Sequence, residues 1–347
     1  MKIAVDAMGG DYAPAAVVEG VAIALHDFPD YEIVLVGHAE KLKFYLAKYG
    51  IAKHDRVSVV HAPEVVEMRE LSSTSLRAKK NSSITVCAKL LKNKEVDGIA
   101  TMGHTGAAVA ATKVLVRTLP GIDRPALAAS MPGQKQRFLI VDGGANTDCT
   151  PLNLMQFALM GEVYARYLYR QEKPRIGLLS VGGEDIKGND LTKATFPALQ
   201  EKVPGFVGNV EADTVFEGAA DLLVCDGYTG NVFLKCSEGL AKSTIYWLKS
   251  AVMKNPLRMA NAKMLTNAFR ELKAHGDAEV IGGAPLLGIN GICVIGHGSS
   301  SPRAVRNAIR VCGECISFRL NDQILESIRQ HGCTTAELEE YFRQTKE

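Results

Sequence analysis

Five short stretches combine glycine with polar side chains in a pattern suited to holding an anion. They are Asp6-Ala7-Met8-Gly9-Gly10-Asp11, Thr101-Met102-Gly103-His104-Thr105-Gly106, Asp142-Gly143-Gly144-Ala145-Asn146, Asp226-Gly227-Tyr228-Thr229-Gly230-Asn231 and Gly296-His297-Gly298-Ser299-Ser300. Each follows a short apolar run, and several lead into a helical pattern, which places backbone N–H groups at a helix start. Unpaired amides and the helix dipole both point at the ligand there, so phosphate or a phosphorylated substrate is the natural occupant. Glycine also serves ordinary tight turns, so the weight lies in the five together rather than in any one. None reads G-x-G-x-x-G or G-x-x-x-x-G-K-[ST], which speaks against a dinucleotide or nucleoside-triphosphate enzyme.

The elements that must position these stretches recur as a unit: a short β-branched run, a polar glycine turn, then an amphipathic helical pattern. The runs Lys2 to Val5, Asp97 to Ala100, Phe138 to Val141, Leu222 to Val224 and Ile292 to Ile295 precede the five stretches in order, and Pro14 falls where a first helical turn tolerates it. Strands alternating with helices predict an α/β protein, a three-layer α/β/α body with a mostly parallel sheet and right-handed crossovers. In such a sheet every strand-to-helix turn is expected at the same edge, where open α/β folds bind ligands.

A chain of 347 residues that is 47% hydrophobic and 22% charged can bury a large core. No Pro/Ser-rich linker or charge block divides it, so residues 1–347 read as a single catalytic domain. The amino terminus enters a strand pattern at once, which leaves no room for a secretory signal and points to the cytosol. No apolar run is long enough to span a bilayer, so any membrane contact would be peripheral. The net charge of +2 says little about partners, and nucleic acid is not expected among them. Eight scattered cysteines read as reduced thiols. The close pair Cys312 and Cys315 lacks a second pair at zinc spacing, so buried helix thiols are the better account and no metal is expected.

The ordered set of stretches resembles the PlsX family, the phosphate acyltransferases of bacterial phospholipid synthesis. The opening Val5 to Asp11 with Pro14, Gly103 to Ala107, Asp142 to Asn146, Asp226 to Asn231, Gly282-Gly283-Ala284-Pro285-Leu286-Leu287-Gly288 and His297 to Ser300 are similar to family blocks in the same order, from residue 1 to about 320. The resemblance implies that acyl-(acyl carrier protein) and inorganic phosphate give acyl phosphate and free carrier protein. It implies further a homodimer, a fold related to phosphotransacetylases and isocitrate-dehydrogenase-like enzymes, no cofactor, and a downstream membrane glycerol-phosphate acyltransferase. In residues 71–83 the basic and serine core is kept, including Arg77 and Ser82, whereas the residues before Arg77 depart from the family pattern.

A thioester is already activated, so a dianionic phosphate can attack it directly without a protein nucleophile. The protein must then hold an anion against the carbonyl and stabilise an oxyanion. Lys187, in the glycine-bracketed loop Val181 to Asn189 after the apolar run Ile176 to Leu179, matches a catalytic family position; on sequence alone a solvated lysine reads equally well. Asn231 offers an amide to the oxyanion, or is a turn or cap residue. His104 is a candidate proton donor to the departing thiolate, or a structural hydrogen-bonder. Asp6, Gly9, Gly10, Asp11, Arg77, Ser82, Gly103, Thr105, Gly106, Asp142, Asn146, Asp226, Thr229, Gly230, His297 and Ser299 complete the candidate substrate and phosphate site. A phosphotransacetylase acting on acyl-CoA is the alternative; an NAD-dependent decarboxylating dehydrogenase-like enzyme is a third reading, disfavoured by the missing nucleotide fingerprint, and a membrane-recruited scaffold for the partner acyltransferase is the non-enzymatic one.

Residues 238–275 carry a different pattern. Leu240, Thr244, Ile245, Trp247, Leu248, Ala251 and Val252 share one helical arc, opposite Lys242 and Lys249. After Asn255-Pro256, a second arc holds Leu257, Met264, Leu265, Ala268, Phe269 and Leu272, with Lys263, Arg270 and Lys273 turned away. This basic amphipathic pair is either a packed hairpin or dimer contact, or a protrusion that touches anionic membrane or carrier protein. Arg258 interrupts the second arc, which argues against deep insertion.

Overall fold

The computed structural model describes residues 1–67, 70, 78–275 and 278–344, without the side chains of 257, 260, 263, 273–275, 278 and 280. Every strand expected from the apolar runs is present: β1 (Lys2–Asp6), β4 (Gly98–Thr101), β6 (Phe138–Val141), β7 (Ile176–Leu179), β9 (Leu222–Val224) and β11 (Ile292–Ile295). Five more join them: β2 (Glu32–Gly37), β3 (Val57–His61), β5 (Ala126–Met131), β8 (Phe206–Val210) and β10 (Ala284–Leu287). Together they form an eleven-stranded sheet in the order β3-β2-β1-β4-β11-β10-β5-β6-β9-β7-β8.

Seven of the ten pairings are parallel, as the alternating pattern requires. The other three, β11 with β10, β10 with β5 and β5 with β6, are antiparallel. Three successive reversals leave the two outer groups of parallel strands running in opposite directions. The expectation that all the polar turns share one edge is therefore corrected. The turns after β1, β4 and β11 lie at one edge, and those after β6, β9 and β7 at the other, because the connection through β10 and β5 inverts the second half.

Alternation along the strands separates two faces. On one face Ile3, Val5, Leu139, Val141, Leu222 and Val294 belong to a single continuous apolar layer. It is covered by α1 (Ala15–Asp27), α5 (Pro151–Tyr169), α6 (Asp190–Lys202), α12 (Pro302–Ser317) and α13 (Leu320–Gln330). Helix α5 starts from a capping box between Thr150 and Asn153 with Pro151 at its first turn, and is buried from Leu152 to Ala165. Cys312 and Cys315 point from α12 into this layer as buried thiols.

The opposite face is not continuous. One cluster packs α3 (Ser83–Lys92) and α4 (Thr105–Ala111) on Ala4, Ile99, Cys293 and Leu127. A second packs Phe216 of α7 (Thr214–Glu217) and Phe233 and Leu234 of α8 (Gly227–Met253) on Phe138, Ile140 and Leu223. Strand β5 passes from one to the other, with Leu127 in the first and Met131 in the second. The helical layer thus has a seam over β5.

Helix α8 starts earlier than the protrusion read from sequence, because Asp226 caps it at the end of β9. It runs 27 residues and leaves the body beyond Leu234, followed by α9 (Pro256–Met264) and α10 (Thr266–His275), so the second amphipathic segment is two helices rather than one. Helices α2 (Ala39–Lys48), α11 (Ala278–Ile281) and α14 (Thr335–Gln344), with a π-helical turn at Thr112–Val116, complete the fold. Leu240, Tyr246, Trp247, Met253, Met264 and Leu272 are exposed, so within one chain this hairpin is not packed into a core. Lys242, Lys249 and Arg270 are exposed beside them and Phe269 is half-buried, while the side chains of Lys263 and Lys273 lie outside those described.

Candidate active site

The turns after β1, β4 and β11 converge because these strands are adjacent and parallel. Asp6, the last residue of β1, is buried and accepts a hydrogen bond from Thr101 Oγ1 at 2.8 Å and one from the Met8 amide at 3.2 Å. Burial raises its pKa above the ordinary aspartate range, opposed by these bonds and by the Ser83 hydroxyl. The Gly103 amide donates to Thr101 Oγ1 at 3.1 Å. A Cβ on Gly9 would stand 2.7 Å from both Asp6 Oδ2 and the Gly103 nitrogen, so the two turns meet only because residue 9 is glycine. Asp11, exposed, donates its amide to Gly298 O at 2.7 Å, which ties the β1 turn to the β11 turn, and Gly10 faces the same carbonyl with φ +104°.

His104 is the N-cap of α4, its Nδ1 accepting from the Ala107 amide at 3.2 Å, with Thr105 and Gly106 in the first turn behind it. It joins Asp6, Gly9, Ser83, Thr101 and Gly103 around a narrow cleft of about 10 Å³, the room of a single water or oxygen. Ser82 is turned inward, sharing a 2.7 Å hydrogen bond with Thr85 Oγ1. His297 and Ser299 close on each other at the surface, at 2.8 Å. Arg77 lies outside the described residues. Sequence reading left Thr101 and Ser83 out of the site; their signal is position, the last residue of a strand and the first of a helix.

The second group forms at the ends of β6, β9 and β7. Asp142 is fully buried and accepts from the amides of Leu127, Gly144, Ala145 and Asn146 and from Asn146 Nδ2, all between 2.8 and 3.0 Å. Burial pushes its pKa up, against these bonds. Because every one of these donors is an N–H, the geometry fits the carboxylate form, and the group is consumed in shaping its loop. Asn146 also donates to Pro125 O at 2.7 Å and accepts from the Gly227 amide at 2.7 Å, which fastens the loop to the start of α8. There Asp226 accepts from the amide and hydroxyl of Thr229, at 2.8 and 2.7 Å. Gly230 lies against Asp142 O with no space for a Cβ.

These contacts place Asn231, exposed, one turn into α8 and beside Gly144: a Cβ on Gly144 would lie 3.2 Å from that of Asn231. Phe233, two residues on, is held by Phe216 and Phe138 at ring-centroid distances of 5.5 and 6.3 Å. Lys187 sits in the exposed loop after β7. Its loop is pinned by Asn209, a buried residue of β8 that sequence reading missed; Asn209 Nδ2 donates to Glu184 O at 2.8 Å and Lys187 O at 3.4 Å. Among the described residues no group pairs with the Lys187 ammonium or the Asn231 side-chain amide.

An apolar contact joins the two groups across the seam. Ala145 packs against the apolar cluster that holds Ala107 and Ala108 of α4, whose cap is His104. Among the described residues, no three His, Cys, Asp or Glu side chains gather as a metal-ligand set.

This arrangement is that of the phosphotransacetylase fold. The phosphotransacetylase of Streptococcus pyogenes superposes with a TM-score of 0.61 at 15% identity, over 91% of this chain and 94% of that one. The EutD phosphotransacetylase of Staphylococcus aureus gives 0.57 at 15% identity, over the same shares of the two chains. The sequence narrows the class. A family model described as "Fatty acid synthesis protein" matches residues 1–322, and the chain belongs to that family, the PlsX family. Phosphate acyltransferases of Nitratiruptor sp. and Pelotomaculum thermopropionicum are 41% and 44% identical to it, over 95% and 94% of this chain and 98% and 95% of theirs. It is an enzyme of the phosphate acyltransferase class.

Proposed function

We propose that the enzyme transfers the acyl group of acyl-(acyl carrier protein) to inorganic phosphate, releasing acyl phosphate and the free carrier thiol, for phospholipid synthesis. A phosphate oxygen forms the bond to the thioester carbon while the carbonyl electron pair moves to oxygen. Collapse of that intermediate re-forms the carbonyl and breaks the C–S bond, and sulfur leaves with the pair as thiolate. The observation that carries this reading is the second group of turns: it presents an exposed cation, Lys187, and an exposed amide, Asn231, neither with a partner among the described residues, on the segments that follow the neighbouring parallel strands β7 and β9. Such groups suit a dianion and a developing oxyanion. The buried carboxylates Asp6 and Asp142 hold the turns in shape, and no metal or cofactor is needed to balance the step.

The test is to mix the purified enzyme with acyl carrier protein or coenzyme A thioesters and to measure thiol release with and without phosphate. Phosphate-dependent release from the carrier thioester supports the reading. Preference for the CoA thioester would favour a phosphotransacetylase-like enzyme, which the shared fold supports as the second reading.

The reading extends to a homodimer and to peripheral contact with anionic membrane at the inner face of the cell membrane, where a glycerol-phosphate acyltransferase would take the product. Its support is the exposed apolar and basic surface of α8 to α10; no described helix is long and apolar enough to cross a membrane. Flotation with anionic and neutral vesicles, beside the mass of the particle in solution, separates these uses.

A further inference from the structure

We propose that the alkyl chain of the acyl substrate lies against four exposed apolar side chains: Val181 and Ile186 of the Lys187 loop, and Tyr228 and Val232 at the start of α8. The inference rests on the reaction proposed above and adds the site that receives its apolar part. Val181 and Ile186 are 81% and 79% exposed, Tyr228 and Val232 65% and 45%. Among the described residues none of the four joins an apolar cluster of the body. Single exposed aliphatics are ordinary on a protein surface, so their place distinguishes these four.

Ile186 adjoins Lys187 in the chain. The Lys187 stem also folds back beside Val181, for a Cβ on Gly182 would stand 3.1 Å from Lys187 Cγ. On α8, Tyr228 shares one helical face with Asn231 and Val232, three and four residues on, while Phe233 and Leu234 pack towards the sheet. Leu178 of β7 and Val224 of β9 are register partners, so the two segments leave neighbouring strands side by side. Each polar group assigned to the reaction is thus flanked by apolar side chains of its own segment.

The substrate asks for such a surface. Its carbonyl carbon must reach Lys187 and Asn231, which fixes where the first methylenes of the chain lie. The cleft of the first group of turns, about 10 Å³, admits no chain. The exposed apolar surface of the hairpin begins at Leu240, nine residues beyond Asn231 and about 14 Å along α8. Val181, Ile186, Tyr228 and Val232 are the large apolar groups exposed on the two reacting segments before that point.

The test uses the full-length enzyme with two-carbon and eight-carbon thioesters of the carrier protein. The wild type should favour the eight-carbon substrate in kcat/KM by roughly tenfold or more, which about two buried methylenes supply. The double variant Ile186→Ser/Val232→Ser should lower that preference by roughly tenfold, chiefly through KM for the longer chain. A displaced Lys187 would slow both substrates alike, so an equal loss on both, or an unchanged preference, overturns the proposal. So does a change in the mass of the particle in solution, which would make this surface a contact between copies of the chain. Calorimetry with ethyl and dodecyl phosphate, below the micelle concentration, separates the surface from the reaction. Tighter binding of dodecyl phosphate by the wild type, lost in the variant, supports the proposal; equal binding of the two phosphates, or a difference that the variant keeps, overturns it. If the wild type releases no thiol with phosphate, the reaction reading has failed instead, and the calorimetry still decides where an alkyl chain binds.

Discussion

Asn209 holds the backbone of Lys187: from the end of β8 its side-chain amide reaches both Glu184 O and Lys187 O, while its own Oδ1 is buried without a partner among the described residues. The residue is thus bonded through its donor side alone, and that side faces the loop carrying the candidate cation. Asn209→Ala should leave the fold intact and lower kcat about tenfold or more, since a misplaced group about 1 Å away can lose up to ~10²-fold. Asn209→Asp should be worse, because a carboxylate would face two carbonyl oxygens. Steady-state kinetics beside a melting curve decide the matter, and unchanged kcat in both variants would detach Asn209 from the reaction.

Lys187→Ala and Asn231→Ala should each reduce phosphate-dependent thiol release by roughly 10²–10³-fold with little change in stability, because both side chains are exposed and outside the core. Rates near wild type in both would remove them from the mechanism.

No cysteine should be essential. The thiol of Cys149, near the Asp142 loop, is pushed up to about 12 by burial, and burial raises that of Cys225 well above the ordinary range. Neither supplies a thiolate near neutral pH. Cys149→Ser and Cys225→Ser should keep most of the activity; an acylated cysteine trapped during turnover would overturn direct attack by phosphate.

Gly230→Ala should destabilise the protein by about 1–3 kcal/mol, since a Cβ there overlaps the carbonyl oxygen of Asp142 and α8 must shift. Activity should fall with it, because the same shift moves Asn231. Calorimetry and turnover should report both losses together.

Asp6 gives a pH signature. Its folded pKa is raised above 3.8, chiefly by burial, so the native state keeps a proton that the unfolded chain has already lost. Its contribution to stability is therefore most favourable below that value and declines as pH rises through the folded pKa. Asp6→Asn removes this dependence, so the stability of the variant relative to wild type should increase from pH 4 to pH 7. Chemical denaturation at the two values measures the sign; a relative stability that is flat or declining contradicts it.

Much of the site was readable from local chemistry. Turns such as Asp226 to Asn231 announce themselves because a capping aspartate, a threonine three residues on and a glycine under close approach are needed within one helical turn, and those needs are met by residues adjacent in sequence. The apolar runs of β1, β4, β6, β7, β9 and β11 were legible for the same reason: strands buried on both faces must be apolar throughout. What no local pattern holds is direction. Whether β10 and β5 pair parallel or antiparallel with their neighbours depends on contacts such as Leu286 with Leu127, more than 150 residues apart, and that choice sent the polar turns to two edges. The seam over β5, the burial of Asn209 behind Lys187 and the exposure of Trp247 lie equally outside any local pattern. Each depends on which elements meet in space, a matter of packing between distant segments that only the folded chain decides.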